Sequence, residues 1–132
     1  MPEISWIGVL VAAVSSFAVG AVWYSPALFA GVWQRESRVI IDAQTPGPSM
    51  VSILVPAFVL QLLAAVAFAL FLGVRPGLTF GAGAGFAAGL FWVAGAFGVN
   101  YLFERRSLKL WLINGGYNVV TYTLLGAILG VL

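Results

Sequence analysis

The sequence predicts an all-α integral membrane protein, a four-helix bundle packed tightly through stripes of Gly, Ala and Ser. Three observations predict this fold class. Of the 132 residues, 62% are hydrophobic and only 8% are charged, whereas a soluble domain carries about 25% charged residues. The charged residues are confined to a few short stretches, and four uncharged apolar runs lie between and after them. Because backbone polar groups in lipid must pair internally, such runs form helices.

Each apolar run is long enough to cross a bilayer. A helix needs about 20 residues to span about 30 Å of hydrocarbon at 1.5 Å per residue. The runs predict spans at about 4–24, 50–72, 78–103 and 110–132, within one transmembrane domain of residues 1–132. The first run lacks a positive segment before it and is longer than the apolar core of a secretory signal, so we expect it to be retained.

The segment after the first span has two interpretations. Ser25 and Pro26 suit a helix N-cap and a first helical position, and the apolar residues that follow would form a short helix lying along the membrane interface. The alternative is one long helix kinked at Pro26.

The basic residues predict an orientation. The loops 34–49 and 104–109 contain five of the six, and the opposite side contains only Arg75. The positive-inside rule places both loops in the cytoplasm and both termini outside. We therefore expect a multi-pass protein of the cell (inner) membrane.

Small residues recur every four positions in all four spans, which lets helix backbones approach closely in lipid. The third span also has a bulky stripe, made of Phe86, Leu90, Val93 and Phe97. We interpret this stripe as lipid-facing and the small-residue arc as packed against several neighbours, which would make span 3 the central helix. The alternative is that the stripe contacts another subunit.

The spans contain no ionisable group of the kind that marks a proton or ion pathway, so coupling through a buried carboxylate is not expected. Neutral polar residues instead collect at one end of the antiparallel bundle. The candidates are Asn114, Tyr117, Asn118 and Thr121 along one stripe of span 4, with Asn100, Tyr24 and Ser25 at the same depth.

These polar residues have two interpretations. The favoured one is an interhelical hydrogen-bond network that fixes helix register, at about 0.6 kcal/mol per bond. The other is a hydrated cavity, open to the cytoplasm, in which Asn114 and Asn118 bind a small polar solute or ion.

The composition also predicts what the chain does not do. It has no Cys and no His, so it offers no thiolate nucleophile, no usual zinc ligand and no imidazole base. We expect no catalytic residue, no metal, no cofactor and no nucleic-acid partner.

The favoured function is that of a non-enzymatic membrane protein, which acts as a packed homo-oligomer or as an accessory subunit. Its partners would be membrane lipids and either a second copy of itself or another membrane protein. The alternative is a small channel or facilitator for a polar solute or ion.

Two segments carry a family resemblance. Residues 20–29, with the Trp-Tyr-Ser-Pro motif at 23–26, resemble the opening signature of a bacterial family of small four-span membrane proteins. That family is known as a domain of unknown function, numbered seventeen sixty-one. Residues 108–117 are similar to its closing signature. The family's pattern often has His where this chain has Asn118, so the resemblance implies no titrating role here. It implies the four-span architecture and no established activity.

Overall fold

The computed structural model describes residues 4–39, 47 and 49–132, and every regular element in these ranges is helical. Four helices are long and apolar enough to cross a membrane, which confirms the all-α fold class and makes the chain a multi-pass membrane protein. They are span 1 (Trp6–Trp23), span 2 (Met50–Leu72), span 3 (Leu78–Glu104) and span 4 (Leu108–Val131). A short helix, Ala30–Ser37, follows span 1.

Three of the spans begin at a serine N-cap. The hydroxyl oxygens of Ser5, Ser49 and Ser107 accept hydrogen bonds from backbone N–H groups three residues later, at 3.1, 3.3 and 3.1 Å. Each bond satisfies one of the free donors of a helix N-terminus. These caps fix where spans 1, 2 and 4 start.

The short helix after Pro26 is confirmed, but it begins at Ala30, four residues later than the capping pattern predicts. The hydroxyl of Ser25 donates to the carbonyl oxygen of Val22 at 2.7 Å. Ser25 therefore bonds back to span 1 instead of capping the next helix. The alternative of one long kinked helix is wrong, because span 1 ends at Trp23.

The central helix is span 4, which contacts every other helical segment. The prediction that span 3 is central is wrong. Its small-residue arc packs mainly against one neighbour, span 4, instead of several. The buried residues of span 4 are Leu110, Ile113, Gly115, Thr121, Leu125, Gly126, Leu129 and Gly130.

Spans 3 and 4 touch backbone to backbone at one end of the bundle. A Cβ built on Gly81 would fall on the carbonyl oxygen of Gly126, and one built on Gly126 would fall on that of Gly81. The N–H of Gly77 donates to the carbonyl oxygen of Gly130 at 2.9 Å, which joins the start of span 3 to the last turn of span 4. We call this the glycine end.

The hydrophobic core lies towards the glycine end and draws on all four spans. Its members are Val9, Ala12, Ala65, Phe68, Ala69, Leu72, Ala88, Leu125 and Leu129. Most of these side chains are small or aliphatic, which lets the helices pack closely.

The middle of span 3, Ala88–Ala94, is a π-helix. Its hydrogen bonds connect residues five apart, so each turn holds more residues than an α-turn. The bulky stripe predicted at 100° per residue is therefore wrong in this segment. In this segment Phe91 and Trp92 are exposed, at 70% and 67%, while Leu90 and Val93 are partly buried. Of the two stripe residues outside it, Phe86 is exposed as predicted and Phe97 is partly buried.

At the opposite end span 2 separates from its neighbours. Residues 50–56 are all exposed, and the first buried residue of span 2 is Ala65. We call this the tryptophan end, after Trp23, Trp33 and Trp111. Residue Pro56 lies inside the helix here.

Candidate functional site

The tryptophan end contains an open groove of about 570 Å³, bounded by the short helix and by the ends of all four spans. We call it the polar groove. It is lined by Tyr24, Ala30, Trp33, Gln34, Ile53, Leu54, Phe97, Asn114, Tyr117 and Asn118. The diverging part of span 2 forms one side of the groove, and the short helix forms another.

Asn114 holds three spans together at the wall of this groove. The Tyr24 hydroxyl donates to Asn114 Oδ1 at 2.7 Å, and Asn114 Nδ2 donates to the Tyr101 hydroxyl at 2.8 Å. The amide thus uses its acceptor towards span 1 and a donor towards span 3. Because both of its ends are bonded, the amide has one preferred orientation.

Asn118 lies one turn further along span 4 and is less fully bonded. Its Nδ2 donates to the backbone carbonyl of Asn114 at 2.9 Å. Among the residues that the structure describes, its Oδ1 accepts no hydrogen bond, and the side chain is half-buried in the groove wall. Asn118 therefore presents an acceptor and a second N–H to whatever occupies the groove.

Tyr117 forms the floor of the groove. Its hydroxyl donates to the backbone carbonyl of Ser16 at 3.0 Å, and its ring lies 5.4 Å from the Tyr24 ring between centroids. The same residue lines a separate cavity of about 370 Å³ that includes Gln61 of span 2. Tyr117 thus lies between the polar groove and the cavity around the Gln61 side chain.

The groove gathers four of the seven predicted site residues: Tyr24, Asn114, Tyr117 and Asn118. The other three lie elsewhere. Ser25 bonds back to span 1, and Asn100 is exposed outside the groove lining. Thr121 is fully buried, and its hydroxyl has no hydrogen-bond partner within the described part of the chain.

Two tryptophans have structural roles that the sequence did not indicate. The Trp23 indole N–H donates to the carbonyl oxygen of Ile113 at 2.9 Å, and that of Trp111 donates to the carbonyl oxygen of Ala94 at 2.8 Å. Both residues suit an aromatic belt by position. Here each one instead joins its own helix to the backbone of a neighbour.

Glycines make room for both indoles. A Cβ on Gly116 would lie 3.1 Å from Trp23 Cζ2, and one on Gly98 would lie 3.0 Å from Trp111 Nε1. A tryptophan that faces a glycine on the neighbouring helix therefore indicates such a contact. The sequence alone does not reveal it, because the pairing of the helices must be known first.

The groove wall also includes residues that no polar pattern could find. Trp33 and Gln34 come from the short helix, and Ile53 and Leu54 come from the diverging part of span 2. Phe97 faces the groove from the α-helical turn after the π segment. Their positions depend on tertiary structure alone.

The chemistry available in the groove is neutral hydrogen bonding beside an apolar wall. Among the residues that the structure describes, its lining contains amides, phenols, an indole, a phenyl ring and aliphatic side chains, and no carboxylate, guanidinium or amine. Such a surface is chemically suited to a small polar or amphipathic molecule, whose polar side would face span 4 and whose apolar side would face span 2.

Four apolar helices around a neutral, half-open groove define the class of this protein, a small multi-pass membrane protein. The chain belongs to the family described as "Protein of unknown function (DUF1761)", whose profile matches residues 7–130. This confirms the predicted family. No curated protein and no solved structure matches the chain.

Proposed function

We propose that this protein is a non-enzymatic binding protein or facilitator for a small polar or amphipathic molecule, which occupies the polar groove. The observation that supports it most is the hydrogen-bonding capacity that Asn118 leaves unused among the described residues, in the wall of a groove of about 570 Å³. An amide that serves to fix helix register bonds across helices, whereas the Asn118 amide bonds to the backbone of its own helix.

The distribution of polarity supports an amphipathic ligand. Asn114, Tyr117 and Asn118 place their polar groups on the span 4 side of the groove, and Ile53 and Leu54 form the opposite side. A neutral site takes uncharged groups or weakly hydrated ions, since desolvating a full charge without a counter-charge is costly.

The orientation is part of the same proposal. With five of six basic residues in the loops 34–49 and 104–109, the tryptophan end faces the cytoplasm of a cell (inner) membrane. The polar groove then opens on the cytoplasmic side, with both termini outside.

The test is thiol labelling, which is free of background because the chain has no native Cys. Asn118→Cys and Asn114→Cys are probed with a membrane-impermeant thiol reagent in intact and inverted vesicles. Thr121→Cys is the matched control, since it lies on the same helix and is fully buried. We expect position 118 to label from the cytoplasmic side, 114 to label more slowly, and 121 to stay protected.

The result also decides between this proposal and the competing function of self-association or an accessory subunit. Protection of both 114 and 118 from either side would contradict a water-accessible groove and leave the packing role. Labelling of 118 from the outside only would contradict the orientation while keeping the groove.

A further inference from the structure

Four arginines from distant parts of the chain meet at the tryptophan end. Arg35 and Arg38 belong to the last turn and C-cap of the short helix, and Arg105 and Arg106 lie between spans 3 and 4. They line a pocket of about 650 Å³, which we call the arginine pocket. The guanidinium Nη1 of Arg106 donates to the carbonyl oxygen of Ser37 at 3.1 Å, and this bond holds the two loops together.

The arginine pocket is positive overall. Glu36 and Glu104 also line it, so the lining that the structure describes has four guanidinium groups and two carboxylates, a formal charge of +2. One pair is formed within the described residues, between Arg106 Nε and Glu104 Oε1 at 3.4 Å. Two helix C-termini end here, each equivalent to about half a negative charge. These two helix C-termini offset part of the excess positive charge of the arginine residues, and the pocket keeps a net positive charge.

The arginine pocket continues into an apolar groove of about 280 Å³ between spans 3 and 4. The two spaces share Arg106 and Ser107. Beyond these residues the apolar groove is lined by Gly98, Tyr101, Leu102, Leu108 and Trp111. Leu102 is 80% exposed, so the groove is open along the lipid-facing side of the bundle.

We propose that these two adjoining spaces bind an anionic phospholipid, with its phosphate in the arginine pocket and one acyl chain in the apolar groove. Guanidinium groups match phosphate oxygens with paired hydrogen bonds, and arginine is preferred over lysine for such contacts. A free phosphate would use the pocket alone, whereas the continuous apolar groove fits an amphiphile. This site is separate from the polar groove and does not depend on its function.

The test uses the full chain, purified in nonionic detergent, and three probes: dioctanoyl phosphatidylglycerol, dioctanoyl phosphatidylcholine and inorganic phosphate. Binding is measured by the change in tryptophan fluorescence, since Trp111 lines the apolar groove. We expect saturable binding of the phosphatidylglycerol only. The Arg38→Gln/Arg105→Gln double variant weakens it about 25-fold, from about fivefold per arginine near a lipid surface.

Arg75→Gln is the matched control. Arg75 is exposed and has a positive φ like Arg38 and Arg105, but it lies at the glycine end, where its Nε donates to the carbonyl oxygen of Leu132. We expect its affinity to be unchanged. An equal loss in Arg75→Gln would overturn the proposal in favour of non-specific charge attraction.

A second variant separates lipid from phosphate. Leu102→Phe places a bulkier ring at the edge of the apolar groove and leaves the arginine pocket intact, so we expect it to weaken phosphatidylglycerol binding. Binding of inorganic phosphate as tight as that of the lipid would overturn the assignment to a lipid, and equal binding of phosphatidylcholine would overturn the charge argument. If neither lipid binds, the arginines serve only to neutralise the helix ends, and the proposal is wrong.

Discussion

The helices of this bundle pack against each other in different ways at its two ends. At the glycine end, spans 3 and 4 meet through their backbones, and the core of small and aliphatic side chains lies beside them. At the tryptophan end, indole and amide hydrogen bonds connect the helices across wider gaps, and span 2 diverges. The first end is closely packed, whereas the second end contains the space in which both proposed sites lie.

The difference follows from which residues face each other. Gly81 and Gly85 of span 3 are in register with Gly126 and with the backbone of Tyr122, so nothing holds the helices apart. Beyond Gly89, two glycines of the pair face side chains instead of bare backbone: Gly115 faces the Cβ of Ala94, and Gly98 faces the indole of Trp111. A small-residue stripe therefore closes a helix pair only when the partner presents glycine or bare backbone at the same level.

The largest expected loss of stability comes from a variant that disrupts the glycine end. In Gly126→Ala the new methyl group would meet the carbonyl oxygen of Gly81, so the two backbones must separate. We expect a loss of about 3 kcal/mol in the free energy of unfolding, measured by denaturant titration in detergent micelles. Gly83→Ala is the control, because a Cβ there has no atom of the described residues within 4 Å. Equal stability of the two variants would contradict the backbone contact.

The next largest loss of stability is expected from a variant that weakens the tryptophan end. Asn114→Leu removes the bonds to the Tyr24 and Tyr101 hydroxyls. At about 0.6 kcal/mol per bond in a membrane protein, we expect a loss of about 1.2 kcal/mol. Tyr24→Phe should lose half as much, since it removes one of the two bonds. A loss in Asn114→Leu as large as that in Gly126→Ala would mean that the two ends do not differ in the way described.

A third variant should raise stability. The Thr121 hydroxyl is buried without a partner among the described residues, and an unsatisfied buried hydroxyl costs about 1 kcal/mol or more. Thr121→Val removes the hydroxyl and keeps a branched side chain of similar size. We expect a gain of about 1 kcal/mol, measured in the same titration. A loss of stability would show that the hydroxyl has a bonding partner in the membrane.

The smallest effect concerns the link between Trp111 and span 3. Trp111→Phe removes the hydrogen bond from the indole to the carbonyl oxygen of Ala94 while keeping an aromatic ring. We expect a loss of about 0.6 kcal/mol and faster amide hydrogen exchange in residues 88–94, with exchange at the glycine end unchanged. Uniform acceleration along the whole of span 3 would contradict a local role.

The sequence predicts the part of the fold that depends on composition alone. Uninterrupted apolar runs are sufficient to predict four helices, and the spacing of small residues predicts that they pack closely. The same reasoning could not find the central helix. A stripe of glycine in span 3 has the same spacing whether it faces one neighbour or three, and only the facing residues of span 4 decide between these arrangements.

For similar reasons, the sequence predicts only part of the candidate site. Asn114, Tyr117 and Asn118 share a helix face, so spacing alone groups them. Thr121 shares that face by sequence, yet it falls where the bundle is closed and is buried. The apolar wall could not be predicted, because Ile53 lines the groove only as a result of the divergence of span 2.

The contact between Gly81 and Gly126 also limits how this protein can evolve. An enlarged side chain in a protein core is commonly offset by a smaller one opposite it. Here the atom opposite each new methyl group would be a carbonyl oxygen, which every amino acid has. No second-site suppressor on the facing helix can create the missing space, so we expect glycine at both positions throughout the relatives that keep this helix pair.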